Sequence, residues 1–253
     1  MTTVQGVQAQ ERQPAAEIIA LVGTVEIKSP TETNFRKAKL KEPLYPQDQI
    51  RTLAKSRAKL WFQDETILML AENTMVNISD FQMDNQGRRR NALFKVIEGT
   101  MRFIIHKFYS GLPPGVEVEG TTAVLGVRGT DCILEVRSPD LFLNIGNTSA
   151  EVRDRAGRQA RILDPGYWAR VLPGQPIITG IITPMMRQQY ISRTQSGQTA
   201  MPDNVTQPPT LLLAGQVVLF GNPLVPQSSQ FRDLANPGVL NQIQPPLTSI
   251  HHR

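Results

Sequence analysis

Few residues in this chain have the chemistry for catalysis, and their spacing assembles none of the usual constellations. The histidines are His106, His251 and His252, and the one thiol is Cys132. His106 stands alone in a β-like run, and His251-His252 sit at the terminus without a third ligand near them, short of a zinc set. No Ser-His-Asp or Cys-His arrangement follows from spacing. The carboxylate pairs Asp64-Glu65 and Glu117/Glu119 fall in a turn and on an alternating strand, where nothing promises the raised pKa of a general acid. Residues 126–129 (GVRG) lack the lysine and following helix of a phosphate loop. The expectation is therefore no enzyme, no cofactor and no bound metal.

What remains are residues suited to contact. Arg88, Arg89 and Arg90 stand together in a polar stretch (residues 85–91, NQGRRRN) between two β-like runs, where they could grip an acidic surface. The plainer reading is a solvated hairpin tip that keeps a sheet edge from pairing. Arg128 lies between Gly126 and Gly129 at a corner; a salt bridge that locks the corner is preferred there over contact with a partner. Leu211, Leu212, Leu213, Val217, Val218, Leu219 and Phe220 form the longest apolar run, residues 211–220, too short for a membrane span.

The elements that must position these residues are β-strands. In residues 121–136 (TTAVLGVRGTDCILEV) one β-rich run passes through a glycine-flanked turn into a second, in which Cys132, Leu134 and Val136 alternate with Asp131, Ile133 and Glu135. Short alternating runs also fill 49–53, 58–63, 66–70 and 74–79, with Lys55-Ser56, Asp64-Glu65 and Glu72-Asn73 as turn material. Residues 18–27 read as a first strand pair bent at Gly23, and 92–98, 101–107, 141–145, 150–154, 159–163 and 167–172 continue the pattern. Thr183-Pro184 offers an N-cap and first-turn proline for a short helix over 185–194. From about residue 176 charge thins and Pro, Gln, Asn and Thr dominate. The division expected is an arm at 1–15, a β domain at 16–175 and an extended tail at 176–253 with a docking strand.

In order along the chain, Gly23-Thr24-Val25, DQIRT at 48–52, SRAKLWF at 56–62, EGTMR at 98–102, VRGT at 127–130 and DPGY at 164–167 resemble the FecR domain family over residues 18–173. The resemblance implies an all-β domain of many short strands, a jelly roll, sandwich or short solenoid, exported to the periplasm or cell surface and acting by protein contact. In the family's signalling branch an anti-sigma helical region and a membrane span precede this domain. Neither is written here, so a free-standing scaffold or assembly component of the cell envelope is expected ahead of a sensor in cell-surface signalling.

Composition narrows the partners. A formal net charge of +5 over 253 residues is mild for a nucleic-acid binder, and none is expected. Peptidoglycan or polysaccharide contact through Trp61, Trp168, Tyr167 and Tyr109 is a lesser alternative. One cysteine excludes an intramolecular disulfide, and in an exported protein that thiol should be buried. Residues 1–10 show no signal peptide, while Val7-Gln8-Ala9 has the small residue of a cleavage site, so a targeting segment removed upstream is one expectation and a plain polar arm the other. The apolar run 211–220 is expected to dock in trans, on another copy or another envelope protein, and only secondarily on its own β domain.

Overall fold

The computed structural model describes residues 13–83, 90–105 and 115–195. In chain order the strands are β1 (Ala16–Val22), β2 (Val25–Lys28), β3 (Arg36–Lys37), β4 (Pro43–Leu44), β5 (Gln49–Thr52), β6 (Arg57–Phe62), β7 (Ile67–Leu70), β8 (Thr74–Met83) and β9 (Arg90–Ile104). They continue with β10 (Val116–Glu119), β11 (Ala123–Val127), β12 (Asp131–Val136), β13 (Asp140–Asn144), β14 (Ala150–Asp154), β15 (Ala160–Leu163), β16 (Tyr167–Val171) and β17 (Ile178–Ile181), and helix α1 (Pro184–Thr194) follows.

The pairings resolve into two layers joined by one strand. The first runs β4-β1-β6-β7-β9-β12-β13-β16-β17 and is antiparallel throughout. The second runs β3-β2-β5-β8-β9-β10-β11-β14-β15, antiparallel except where β9 meets β10. Residues 90–98 of β9 pair in the second sheet and 99–104 in the first. Both sheets therefore carry β1–β8 on one side of β9 and β10–β17 on the other.

Period-two alternation drives this arrangement. In β6 Ala58, Leu60 and Phe62 are buried while Arg57, Lys59 and Trp61 are half-buried on the opposite side. The inward residues of both sheets form one continuous core, where Phe62 meets Phe81 at 5.3 Å and Phe94 edge-on at 4.9 Å between ring centroids. The fold is all-β, as the strand pattern implies.

The turns and corners that connect the strands are where the sequence is most specific. Lys55, Glu65 and Asn73, each from one of the three connectors read as turns, adopt positive φ (55°, 64° and 51°). Gly23 (φ +72°) is also a corner, but β1 and β2 lie in different sheets and do not pair with each other, which corrects the expected hairpin. A side chain there would sit 2.4 Å from Ser56 Oγ, which accepts a hydrogen bond from the Thr24 amide at 2.8 Å.

Two further expectations change. The separate runs at 92–98 and 101–107 are one strand, β9, which switches sheets at Gly99 (φ +90°). The sheet also continues past residue 175, because β17 pairs with β16 and α1 packs on the outer side of the first sheet. Ile133, Leu141, Leu143 and Ile145 project on that side, and they gather Tyr190, Met186 and Ile191 of the helix. This is why β13 is buried on both faces, as a continuous apolar run requires. The helix begins where the sequence placed its cap: the Met186 amide donates to Thr183 Oγ1 at 3.2 Å, and Pro184 opens the first turn. Residues 1–12, the arginine-rich tip and the tail beyond residue 195 lie outside the described residues.

A methyl group at Gly99 would lie 2.4 Å from the Asn73 carbonyl oxygen and 2.5 Å from Thr74 Cα, whereas at Gly157 (φ +67°) nothing lies within 4 Å. Gly99→Ala should cost at least about 3 kcal/mol and Gly157→Ala about 1 kcal/mol, read from urea unfolding midpoints. Equal losses would remove the sheet-switching role of Gly99.

Candidate functional site

Buried polar groups hold both ends of β11, Asp140 the turn that leads into it and Asn144 and Thr148 the corner between β11 and β12. Asp140, fully buried, accepts from Thr121 Oγ1 and the Thr122 amide, both at 2.7 Å, and a side chain at Gly120 would strike its carboxyl at 2.2 Å. Asn144, also fully buried, donates to the carbonyls of Thr148 (2.9 Å) and Leu163 (2.8 Å), and its Oδ1 accepts from Thr130 Oγ1 at 3.1 Å. Thr148 Oγ1 donates to the carbonyl of Gly129, whose φ of 140° favours glycine. Arg102 then grips Asp131, the first residue of β12, through two bonds of 2.9 and 2.6 Å.

Arg128 takes no part in this. It is exposed and forms no ion pair with a described residue, so the expected locking salt bridge is replaced by the Asn144 and Thr148 contacts. Arg88 and Arg89 lie outside the described residues. Arg90 is placed only as the β9 partner of Met83 at the end of the β8–β9 hairpin, and Leu211, Leu212, Leu213, Val217, Val218, Leu219 and Phe220 also lie outside.

Beside the corner a second cluster ties α1 to the sheet. Glu135, 6% exposed on β12, accepts from the Tyr190 hydroxyl and from Arg193 Nη1 at 2.9 Å, and Arg137 approaches it at 3.2 Å. Arg193 Nη2 also donates to Thr100 Oγ1 at 3.0 Å, one residue past the sheet switch. Burial pulls the Glu135 carboxyl up. The hydrogen bonds from Tyr190 and Arg193, with the charges of Arg193 and Arg137, outweigh that and hold it below its ordinary value. Burial first, and then the bond and charge of Glu135, push Tyr190 up to about 12. Sequence spacing could not pair Glu135 with residues 55 and 58 positions away.

The outer faces of the two sheets differ in character. On the second sheet cross-strand ion pairs cover the surface: Arg51–Glu26 at 2.6 Å, Lys95–Glu119 at 3.5 Å, and Arg153 with Glu117 and Glu151. Asp64 is buried in its turn and bonded to Thr66. The carboxylates considered for acid-base chemistry thus hold turns and strand faces. Large apolar side chains are also exposed on β15, β16, β17 and the start of α1: Ile162 (61%), Tyr167 (41%), Ile178 (49%), Ile181 (68%) and Met185 (81%). Tyr167 and Ile181 are direct cross-strand neighbours, whereas Ile162 pairs with Glu151 on the ion-paired face of the second sheet. The Tyr167–Ile181 contact comes from the β16–β17 register and has no signal in the spacing of the two residues along the chain.

Among the described residues the aromatics do not form one stacking surface, and Tyr109 lies outside them. Phe62, Phe94 and Phe103 are in the core. Trp168 lies over Gly180, where a side chain would fall 2.4 Å from its ring, and Trp61 stands on β6, five strand positions from β16, about 24 Å away. The two tryptophans cannot serve one sugar site. Cys132 is buried as an exported thiol requires; burial first, and then the charge of Asp131, pushes it well above its ordinary pKa. Among the described residues no cluster of three His, Cys, Asp or Glu side chains is placed to hold a metal.

A two-layered β domain with one strand common to both sheets and a helix packed on the outer side of the first is the class of protein defined here. Residues 48–152, from the turn before β5 into β14, match the family model described as FecR protein, and the chain carries a FecR domain there. The described body extends beyond that match at both ends, through β1–β4 and through β15 to α1. Two crystal structures of a candidate anti-sigma factor from Parabacteroides distasonis, at 1.65 and 2.50 Å resolution, align at a TM-score of 0.43 and 17% identity. The alignment covers 53% of this chain and 59% of that protein's length. No curated protein matches the sequence.

The Glu135 cluster has a defined pH window. Because the folded carboxyl is lowered, its contribution is full above the ordinary glutamate value and is lost as pH falls through the folded one. Because Tyr190 is raised, its contribution is full below the ordinary tyrosine value and is lost as pH rises through about 12. The stability gap between wild type and Glu135→Gln should be full above the ordinary glutamate value and close as pH falls below it. Tyr190→Phe should cost about 1–3 kcal/mol at neutral pH and speed amide exchange in α1. A pH-independent gap would sink the electrostatic account.

Proposed function

We propose that this chain is a non-catalytic, extracytoplasmic protein-binding module, a scaffold or assembly component of the bacterial cell envelope that docks its partner through the β domain and the C-terminal tail. The FecR domain supports the compartment and the mode of action, since such domains are typically extracytoplasmic and the family is generally non-catalytic. Among the described residues no helix is long and apolar enough to cross a membrane.

The observation that carries the docking reading is the exposed apolar cross-strand pair Tyr167 and Ile181, with Met185 exposed at the start of α1, against a second sheet whose outer face is largely covered by ion pairs. A surface of that kind buries well against protein and poorly against a polyanion or a sugar. Arg128, exposed at its corner, and the Arg88-Arg90 run supply the charged contacts of the same reading.

A regulatory role in cell-surface signalling is the second reading, favoured by the FecR domain itself. The two part company over what the partner is: an assembly partner is a structural envelope protein, and a signalling partner a membrane-bound regulator.

Site-specific photo-crosslinking in the native cell tests the proposal. A photoreactive residue at Met185 should yield protein adducts in the envelope fraction, and one at Arg51, on the ion-paired face, should yield few. Adducts of equal yield at both positions, or oligonucleotide binding that survives moderate salt, would overturn it.

A further inference from the structure

Asn144 is bonded to three corners of the chain at once. Its side-chain amide donates to the carbonyl of Thr148, in the β13–β14 corner, and to that of Leu163, where β15 turns toward β16, at 2.9 and 2.8 Å. Its Oδ1 accepts from Thr130 Oγ1, in the β11–β12 corner, at 3.1 Å and from the Gly146 amide at 3.2 Å. The Asn144 carbonyl accepts from the Gly166 amide at 2.9 Å, so the side chain and backbone of one fully buried residue fix all three turns. A buried group with every polar atom engaged holds its neighbours in one arrangement. Gly146 tightens the fit, because a side chain there would strike Thr130 Oγ1 at 2.2 Å.

These corners stand side by side at one end of the sandwich. In the first sheet β12, β13, β16 and β17 are successive neighbours. At that end the Ile145 amide donates to the Asp131 carbonyl at 2.9 Å, and the Ile182 amide to the Gly166 carbonyl at 2.8 Å. From β12 to β17 is three strand spacings, about 14 Å. The end is thus a fixed rim rather than a set of separate loops.

The two extremes of the rim differ in chemistry. At one, Arg128 is exposed between buried Val127 and Gly129, with no ion pair among the described residues. The carboxylates of the rim are engaged elsewhere: Asp131 by Arg102 at 2.9 and 2.6 Å, and Asp164 by the Ser149 hydroxyl at 2.7 Å. At the other extreme, Tyr167 and Ile181 lie on the core-facing side of the sheet with Ala169, which is fully buried, yet they are 41% and 68% exposed. The core stops short of them. An uncompensated arginine and an exposed tyrosine are residue types that dominate contact energies between proteins, and a surface already rigid loses little freedom on binding.

We propose that this rim is the docking surface for a protein partner that sets an Asp or Glu side chain against Arg128 and an apolar side chain against Tyr167 and Ile181, about 14 Å away. This rests on the protein-contact reading above and names the face used and the chemistry of the partner.

The test uses the full chain in the native cell, with a photoreactive residue at Met185 or at Asn147, exposed on the middle corner. Both positions should give an adduct with the same protein. Arg128→Glu should lower the yield of that adduct at least tenfold without moving the melting temperature. Arg158→Glu, with the same change of charge at the β14–β15 turn on the opposite end, should leave the yield unchanged. In the purified protein the backbone order parameters of Arg128, Asn147 and Gly166 should be those of rigid backbone, about 0.85. An adduct at Met185 that survives Arg128→Glu, that falls equally with Arg158→Glu, or that has no counterpart at Asn147 would sink this inference alone and leave the protein-contact reading standing. Order parameters below about 0.6 at the three corners would remove the fixed rim. The absence of any adduct at Met185 would overturn the protein-contact reading itself.

Discussion

A strand that belongs to two sheets has no freedom at the point where it crosses. In β9 that point is Gly99, and the atoms around it are backbone and short hydroxyl side chains rather than flexible groups. Thr74 Oγ1 donates to the Thr100 carbonyl at 3.1 Å and accepts from the Thr100 amide at 3.0 Å, and Thr52 Oγ1 in turn accepts from the Thr74 amide at 3.0 Å. Thr100 also receives Arg193 from α1, so the crossing, the β5–β8 corner and the helix share one chain of hydrogen bonds. Buried hydroxyls arranged this way are satisfied only in one geometry, which makes the crossing a source of conformational uniqueness.

From this crossing the differences between the faces follow. The second sheet faces water on its outer side and covers itself with cross-strand ion pairs, each worth little alone. On its outer side the first sheet buries Ile133, Leu141 and Leu143 under α1, and Glu135 is the polar group that this helix had to accommodate. A buried carboxylate needs several partners, and Tyr190, Arg193 and Arg137 supply them. The helix therefore sits in a single register on the sheet.

Strand positions were legible wherever burial was one-sided, as in β6, where Ala58, Leu60 and Phe62 alternate with outward residues. The turns were legible because Lys55, Glu65 and Asn73 each lie in a short polar connector that can take the left-handed conformation. The continuity of β9 was not, since a glycine inside a strand looks the same whether the strand ends or changes sheet. Nor was the role of Asp140 in the turn before β11 and of Asn144 in the corner after it: a polar residue next to an apolar run reads as surface until its partners, supplied from elsewhere in the chain, are known. Arg128 shows the reverse case, a charged residue between glycines that invites a local salt bridge and in the structure has none among the described residues. The exposed pairing of Tyr167 with Ile181 depended on the β16–β17 register and had no one-dimensional signal.

The order of strands around β9 has a mechanical meaning. In both sheets the chain before β9 lies wholly to one side and the chain after it wholly to the other, with β1–β4 and β14–β17 toward the margins. A pull on the two ends of such a chain loads the marginal strands first and unzips each sheet one strand at a time, and the central strand comes under tension only when its neighbours are gone. Resistance to tension is thus graded from rim to centre, and the molecule can give ground at its margins while the seam that reunites the halves stays whole.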